Sequence, residues 1–377
     1  MMSDSFVFMI ELDGSHDEGG GSIARVALAL STLTQQHFSI SDIRKNRPQP
    51  GLKNQHLFCI KALEKLCNAK SEGAALGSTD LKYWPGKIEG KAIDIDIETA
   101  GSITLFLQSV LLPSMFADKT VKFNIVGGTD VAWSPPYDYF SNVFLPQIRK
   151  YANVECKLIK RGYYPKGNGK VQLTIKPIYR IYDFNSFNEF HAYLKENDPK
   201  IDLIEQGNLI QIKGISHASL DLQNAQVAER QAKSAEMALN RYKCPIKIDI
   251  NYNEALSTGS GITLWAIFSK DPDEIDANNP IRLGADALGE RGKKAEIVGE
   301  EAVKALVSEI DGKAPVDMHL ADQILNYLAL AGGQIKASKI TNHTKTNIYA
   351  IEKFLGKMFS IDAKNNIIST NLQQNNP

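Results

Sequence analysis

One strand, helix, strand, helix, hairpin pattern recurs along the chain at a period of roughly ninety residues. A unit of that kind cannot bury its own sheet face alone, so its copies must share a core. The pattern therefore predicts an α/β (α+β) protein with a large domain of three repeated βαβαββ-type units and a smaller inserted α/β domain. The first copy takes the apolar run Phe6–Leu12, helix Ser22–Leu33, strand Phe38–Ile43, helix Gln55–Cys67 and paired strands flanking Gly77. The second opens at Ile93, runs through a helix ending near Leu112, strand Val121–Val126 and a helix ending near Tyr151, and closes with a hairpin over Cys156–Ile175. The third is legible after Leu283, with helices Ala295–Ile310 and Leu320–Leu330, strand Gln334–Ile340, helix His343–Leu355 and a hairpin around Lys364–Asn366. Between Tyr179 and Asp276 the pattern breaks into helix Ala225–Tyr242 with strand-like Ile210–Ile215 and Ile246–Tyr252 on either side. The expected domains are 1–178 and 277–369 for the large domain, 179–276 for the insert, and a frayed, asparagine- and glutamine-rich tail at 370–377.

In each copy a loop after a strand feeds a helix, which predicts three helix starts gathered around one axis: Arg44–Gly51 with Gln55 and His56, Trp133–Tyr137, and Thr341–Thr344. The 377 residues suffice for two domains, and lysines plus arginines balance aspartates plus glutamates at 43 each. That balance argues against a protein that coats nucleic acid and leaves room for a small, end-specific footprint. The four cysteines form no Cys-x-x-Cys pair and have no histidine at metal-ligand spacing, which argues against a disulfide framework or zinc site. A reducing cytoplasm fits that usage. No apolar stretch is long enough for a membrane span, and the first apolar run lacks the basic flank of a signal peptide.

The segment Asp13 to Arg25 reads as an acidic glycine loop entering a helix. Gly19, Gly20 and Gly21 let backbone N–H groups approach an anion at the positive end of that helix, whereas Asp17 and Glu18 would repel a phosphate unless a divalent cation sits between. Gly19, Gly21 and Ala24 formally fit a dinucleotide fingerprint, with Asp42 downstream, but the polar segment after Leu12 is too long for that tight turn. A ligand-free glycine turn is the plain alternative. His343 stands where a strand yields to a helix, with Thr341 or Asn342 as its cap, and neutral imidazole there is a nucleophile near pH 7. Position alone equally describes a solvated histidine. Arg44, Arg47 and Lys53 flank two prolines and Gly51 in a loop able to clamp a phosphate, or are simply exposed charges. Arg161–Gly169 joins cations, two tyrosines and glycines, which suits an RNA end or an ordinary hairpin with its tyrosines packed on the sheet. His319 can stack on a base with Asp322 and Gln323 at its edge, or belong to an ordinary capped helix. There is no P-loop, H-E-x-x-H or G-x-S-x-G signature.

Taken together, these segments resemble the RNA 3′-terminal phosphate cyclases. The resemblance runs through Leu12-Asp13-Gly14 and Glu18 to Arg25, Ile43-Arg44 to Leu52 with Gln55-His56, Ala100-Gly101-Ser102, Gly127 to Asp130 with Pro135-Pro136, and Arg161 to Gly169. It continues in Leu288 to Gly292, His319 to Gln323, and His343 near Thr346-Asn347. It implies that a histidine at the position of His343 takes AMP from ATP and passes it to an RNA 3′-phosphate. The neighbouring 2′-hydroxyl then closes a 2′,3′-cyclic phosphate and expels AMP. By the same resemblance the partners are ATP, RNA with a 3′-phosphate end and a divalent cation (Mg2+ or Mn2+) at Glu18. Arg25 would contact a phosphate. Pro135 and His319 would enclose adenine, with Asp322, Gln323 and Gln108 nearby, and Arg44, Arg47, Lys53 and Gln55 would meet RNA phosphate. Asn168 interrupts the family's glycine run, and His319 stands where relatives often carry tyrosine. Two other classes compete: a noncatalytic cyclase-like ribosome-maturation protein, which would lack the histidine, and an enolpyruvyl transferase, which leaves His343 and the Arg161 signature unaccounted for. The oligomeric state is left open.

Overall fold

The structure, a computed structural model, describes residues 9–271 and 274–370. The first residues of the expected opening strand, and the expected tail beyond Thr370, lie outside them. The chain is a mixed α/β protein, and its described residues build four four-stranded sheets.

The first sheet comes from β1 (Met9–Asp13), α1 (Ser22–Thr34), β2 (His37–Ser41), α2 (Asn54–Cys67), β3 (Lys70–Glu72) and β4 (Leu81–Trp84). Its order is β1-β2-β4-β3, with β1 and β2 parallel and the β3–β4 hairpin antiparallel. The second repeats that order as β5-β6-β8-β7 from β5 (Ala92–Asp96), α3 (Ile103–Ser114), β6 (Val121–Gly127), α4 (Tyr137–Tyr139), α5 (Leu145–Ile148), β7 (Ala152–Lys160) and β8 (Gly169–Pro177).

The chain then enters α6 (Phe187–Asn197) and the short β9 (Ile201–Leu203), followed by β10 (Asn208–Ser219), α7 (Val227–Leu239), β11 (Ile246–Asn253), β12 (Ser260–Ser269), β13 (Ile281–Leu288) and α8 (Ala295–Asp311). Strands β11-β10-β12-β13 form a sheet of their own, with α7 and α8 packed together on it. After α9 (Met318–Gln323) and α10 (Leu325–Ala331) come β14 (Gly333–Lys336), α11 (Asn342–Leu355), β15 (Phe359–Asp362) and β16 (Ile367–Thr370). The last sheet runs β15-β16-β14-β9, so β9 pairs in parallel with β14 across the whole intervening segment.

The sheets do not divide at the bounds of the expected insert, 179–276. Helix α6 and strand β9, inside that span, associate with α10 and β14, while β13 and α8, beyond it, belong with the β11-β10-β12-β13 sheet. Helical periodicity shows where a helix lies and not what it packs on, so α8 was expected in the third copy and in fact covers β12 and β13. Strand β9 is only three residues long, below the length at which alternation can be read.

The core positions the site. Strand β1 alternates, with Ile10 and Leu12 inward and Glu11 and Asp13 outward. Helix α1 is buried at every position, because α3 and α11 close on its sides. Each fully buried leucine along it, such as Leu28 and Leu30, contributes about 1.5–3 kcal/mol of transfer free energy. Such a helix cannot shift without breaking the core, so its amino terminus is a fixed platform.

Candidate active site

The loop from β1 reaches α1 through Gly19, at a φ of +55°, then Gly20 and Gly21. Helix α1 has no side-chain cap and no acidic residue in its first turn, so its first N–H groups keep their hydrogen-bonding capacity and positive dipole. A Cβ on Gly21 would collide with the His56 ring at Nε2 and stand 3.2 Å from Arg25 Nη1. Only glycine lets the loop rest on that imidazole.

Helix α11 brings His343 to the same loop. Of the two expected caps, Thr341 does the work: its hydroxyl accepts from the Thr344 amide at 3.2 Å, and the Thr344 hydroxyl accepts from the Thr341 amide at 3.2 Å. His343 is the second residue of the helix, with Nε2 3.1 Å from Glu18 Oε2. The same carboxylate oxygen accepts from Arg47 Nη2 at 3.2 Å. Gly20 lies beneath both, its Cβ position being 3.4 Å from Arg47 Nη2 and 4.0 Å from His343 Cε1. Burial lowers the His343 pKa below its ordinary value; Glu18 opposes that shift, and Arg25, Arg47 and His319 reinforce it. The ring is therefore neutral at pH 7.

Arg25 is buried, 8% exposed, and its Nε donates to Gln108 Oε1 at 3.0 Å. Among the described residues it makes no ion pair. Asp322 lies within its field, and burial together with Asp317 pushes that carboxyl up to about 7 against the pull of Arg25. Asn347, one turn on from His343, donates its side-chain amide to the Asp322 carbonyl at 3.1 Å and so ties α11 to α9. His319 lies edge-on to Tyr139, and Gln323 folds back on its own helix to donate to the His319 carbonyl at 2.9 Å.

Sequence reasoning missed Asp317, the anchor of this side. Its Oδ1 accepts from Tyr139 Oη at 2.7 Å and from the His319 and Leu320 amides at 2.9 and 2.8 Å, while Oδ2 accepts from the Gly284 amide at 2.9 Å. It caps α9 and pins it to α4 and β13 at once. An aspartate just ahead of an apolar helix is the signal that would have found it. Asp317→Ala removes the cap and leaves buried donors on Tyr139 and Gly284 unpaired, so urea unfolding should show a loss of about 2–5 kcal/mol.

The Arg44 loop closes on itself. Arg44 Nη2 approaches the Gln49 carbonyl at 3.5 Å and Lys53 Nζ donates to Gln49 Oε1 at 2.7 Å. Gln55 packs toward Gly101, where the loop after β5 adjoins the start of α2. The three expected helix starts are unequally placed: those of α2 and α11 meet the glycine loop through His56 and His343. The α4 start reaches α3, where the Pro135 carbonyl accepts from Thr104 Oγ1 at 2.6 Å. Beside it Trp133 is 99% exposed.

The Arg161 segment divides. Tyr164 and Lys166 face solvent, and Asn168 takes a left-handed φ of +57°, as its tolerance for that region allows. Arg161 itself is 2% exposed and cannot reach RNA: its Nη1 bonds both Asp130 oxygens at 3.1 Å and its Nη2 bonds Asp138 Oδ2 at 2.7 Å. His217 Nε2 stands 3.2 Å from Asp130 Oδ1, and its Nδ1 meets Tyr163 Oη at 2.9 Å. Among the described residues Asp130, Asp138 and His217 are the one group of three such side chains close enough to share a metal ion, but Arg161 already pairs with both carboxylates. Glu18 fits a magnesium-type cation better, since its second oxygen has no partner among the described residues. Such ions take one or two carboxylates and fill their shell with phosphate and water.

A sequence model of the family described as RNA 3′-terminal phosphate cyclase matches residues 16–361. A protein of that name from Pyrococcus furiosus is 45% identical over 354 residues, spanning 94% of this chain and 95% of the relative. Its namesake from Archaeoglobus fulgidus is 43% identical over 365 residues, 96% of this chain and 100% of the relative. The solved EPSP synthase from Acinetobacter baumannii overlaps 43% of this chain and 30% of its own at 15% identity and a TM-score of 0.26, too little to carry weight.

Proposed function

The chain belongs to the RNA 3′-terminal phosphate cyclase family, and on that premise we propose that it is an ATP-dependent enzyme converting an RNA 3′-phosphate to a 2′,3′-cyclic phosphodiester, with His343 as the AMP acceptor. The observation that supports this most is the meeting of a neutral His343 with Glu18 directly over Gly20. At rest Nε2 stands 3.1 Å from Glu18 Oε2. The attacking tautomer carries its hydrogen on Nδ1 and a lone pair on Nε2, so that nitrogen must turn from Glu18 as nucleotide enters.

Nε2 then attacks the α-phosphorus of ATP, the bond to the β-phosphate oxygen breaks and pyrophosphate leaves. A 3′-phosphate oxygen of RNA displaces the histidine from that phosphorus, giving an RNA-adenylate. The 2′-oxygen, giving its proton to solvent, closes the ring on the 3′-phosphorus and AMP departs. The first-turn N–H groups of α1, Arg25 and Arg47 are the preorganised positive groups such displacements need. A divalent cation held by Glu18 and the nucleotide's phosphates would neutralise developing charge. His319, Asp322, Gln323, Gln108 and Pro135 are assigned to the adenosine side, and Arg44, Arg47, Lys53 and Gln55 to RNA phosphate.

The three sheets of matching strand order are assigned to three copies of one unit, and residues 208–311 to an insert lying between β9 and α9 of the third. No helix among the described residues is long and apolar enough to cross a membrane, and the four free cysteines suit a reducing cytoplasm. The test is incubation with α-labelled ATP and Mg2+, then with a 3′-phosphorylated oligoribonucleotide. The protein should take up acid-labile label and then release AMP as the cyclic end appears. A folded protein that binds ATP but never becomes labelled would point to a noncatalytic RNA-binding role.

A further inference from the structure

We propose that His56 is a neutral hydrogen-bond donor to a phosphate oxygen bound at the start of α1, and that Ser22 and Arg25 complete the same anion pocket. His56 is fully buried in the first turn of α2, and its Nδ1 accepts the Lys53 amide hydrogen at 3.0 Å. Burial, and then Arg25, Arg44 and Lys53, hold its pKa well below the ordinary histidine value. A neutral ring whose Nδ1 is an acceptor carries its hydrogen on Nε2. That Nε2 has no acceptor among the described residues, although it is buried and lies against Gly21, the residue that opens α1.

It is not alone in lacking a partner. Among the described residues Ser22 Oγ, one residue on, is buried without a hydrogen bond, the first turn of α1 has no side-chain cap, and Arg25 has a neutral amide partner and no ion pair. His56 Nε2 and Arg25 Nη1 both border the position a Gly21 Cβ would take, and Ser22 Oγ lies beside Gly20 at the same helix start. A native fold keeps such groups unpaired where a ligand completes them. An anion with several oxygens is the chemistry that fits, and the phosphate of a nucleotide or of an RNA 3′-end supplies it. The inference rests on the cyclase reading for the source of that phosphate, and on the geometry alone for its place.

The test compares His56→Asn with His56→Gln in the full chain. Asparagine keeps an acceptor for the Lys53 amide and removes the Nε2 edge, while glutamine restores an N–H at that depth. Calorimetry with α,β-methylene-ATP, which cannot transfer AMP, and separately with adenosine 3′-monophosphate, should show His56→Asn weakened about ten- to a hundredfold toward at least one of them, the effect of one hydrogen bond to a charged group. Glutamine should recover most of the loss. The probe that loses affinity identifies whether nucleotide or RNA end fills the pocket. In the wild-type protein, histidine side-chain 1H–15N spectra at pH 7 should show the Nε2–H tautomer of His56, with that signal moving on addition of the same probe. Unchanged affinity for both probes in His56→Asn, or a signal that stays still at saturation, overturns the proposal. Should His56→Asn fail to fold, the wild-type spectrum decides. Label uptake from ATP is not used here, so failure of the cyclisation chemistry and failure of this pocket are read separately.

Discussion

His343→Ala will remain folded and will take no label from α-labelled ATP. Removing a covalent nucleophile costs on the order of 10^6 in rate, because no neighbouring group inherits both the lone pair and its position. Stability should barely change. The imidazole is 47% exposed and its polar contact is with Glu18, and a pair of that exposure is worth about 0–1 kcal/mol. Circular dichroism and urea unfolding should therefore overlay with wild type while the labelled band disappears. The wild-type pH profile follows from the lowered His343 pKa. Neutral imidazole is the attacking form, so adenylylation should hold its rate as pH falls past 6.5, the ordinary histidine value, and be lost only as pH drops through the lowered one. Persistent labelling of His343→Ala would put the nucleophile elsewhere. A wild-type rate that halves at or above pH 6.5 would contradict the environment described for the ring.

The long helices α1 and α11 were legible because each is periodic, whereas α6 was not read from the sequence. Ser22–Thr34 and Asn342–Leu355 fall within a residue of the spans the apolar spacing predicts, and Thr341 is a cap by its chemistry. Strand partners were not legible in the same way. Ile201–Leu203 owes its place to β14, more than a hundred residues later, and Ile281–Leu288 pairs with β12, so local pattern could not say which sheet owned either. The site divides along the same line. A histidine at a helix start and a carboxylate in a glycine loop announce themselves singly, while their 3.1 Å approach depends on α11 packing against α1. His56 stands out in the sequence only as part of the helix start after Gly51, since Gly21 pressed against its ring is not visible there. The Arg161 loop reads either as an RNA contact or as an ordinary hairpin, and what separates the two for Arg161 lies outside the loop, where Asp130 and Asp138 bury it.

That burial makes Arg161→Met a stability variant before it is anything else. The guanidinium is the main counter-charge for two carboxylates deep in the protein, with His217 as the remaining partner of Asp130. Truncating one member of a buried ionic group leaves the others uncompensated and costs about 3–5 kcal/mol, measurable as a lowered urea midpoint. The pH dependence carries the sign of the cause. In the wild type, burial raises the Asp130 pKa, but Arg161 and then His217 outweigh it and hold it below its ordinary value. Its contribution is thus full above about pH 4, the unfolded aspartate value, and is lost only as pH falls through the lowered one. Without the arginine, the burial that raises the Asp130 pKa is opposed by His217 and Thr129 alone, so that pKa rises and the deficit of Arg161→Met should be larger at pH 7 than in acid. An RNA-contact role would give another result: a variant as stable as wild type at every pH, with weakened binding of a 3′-phosphorylated oligonucleotide. A pH-independent stability equal to that of wild type would refute the buried network as the reason for Arg161.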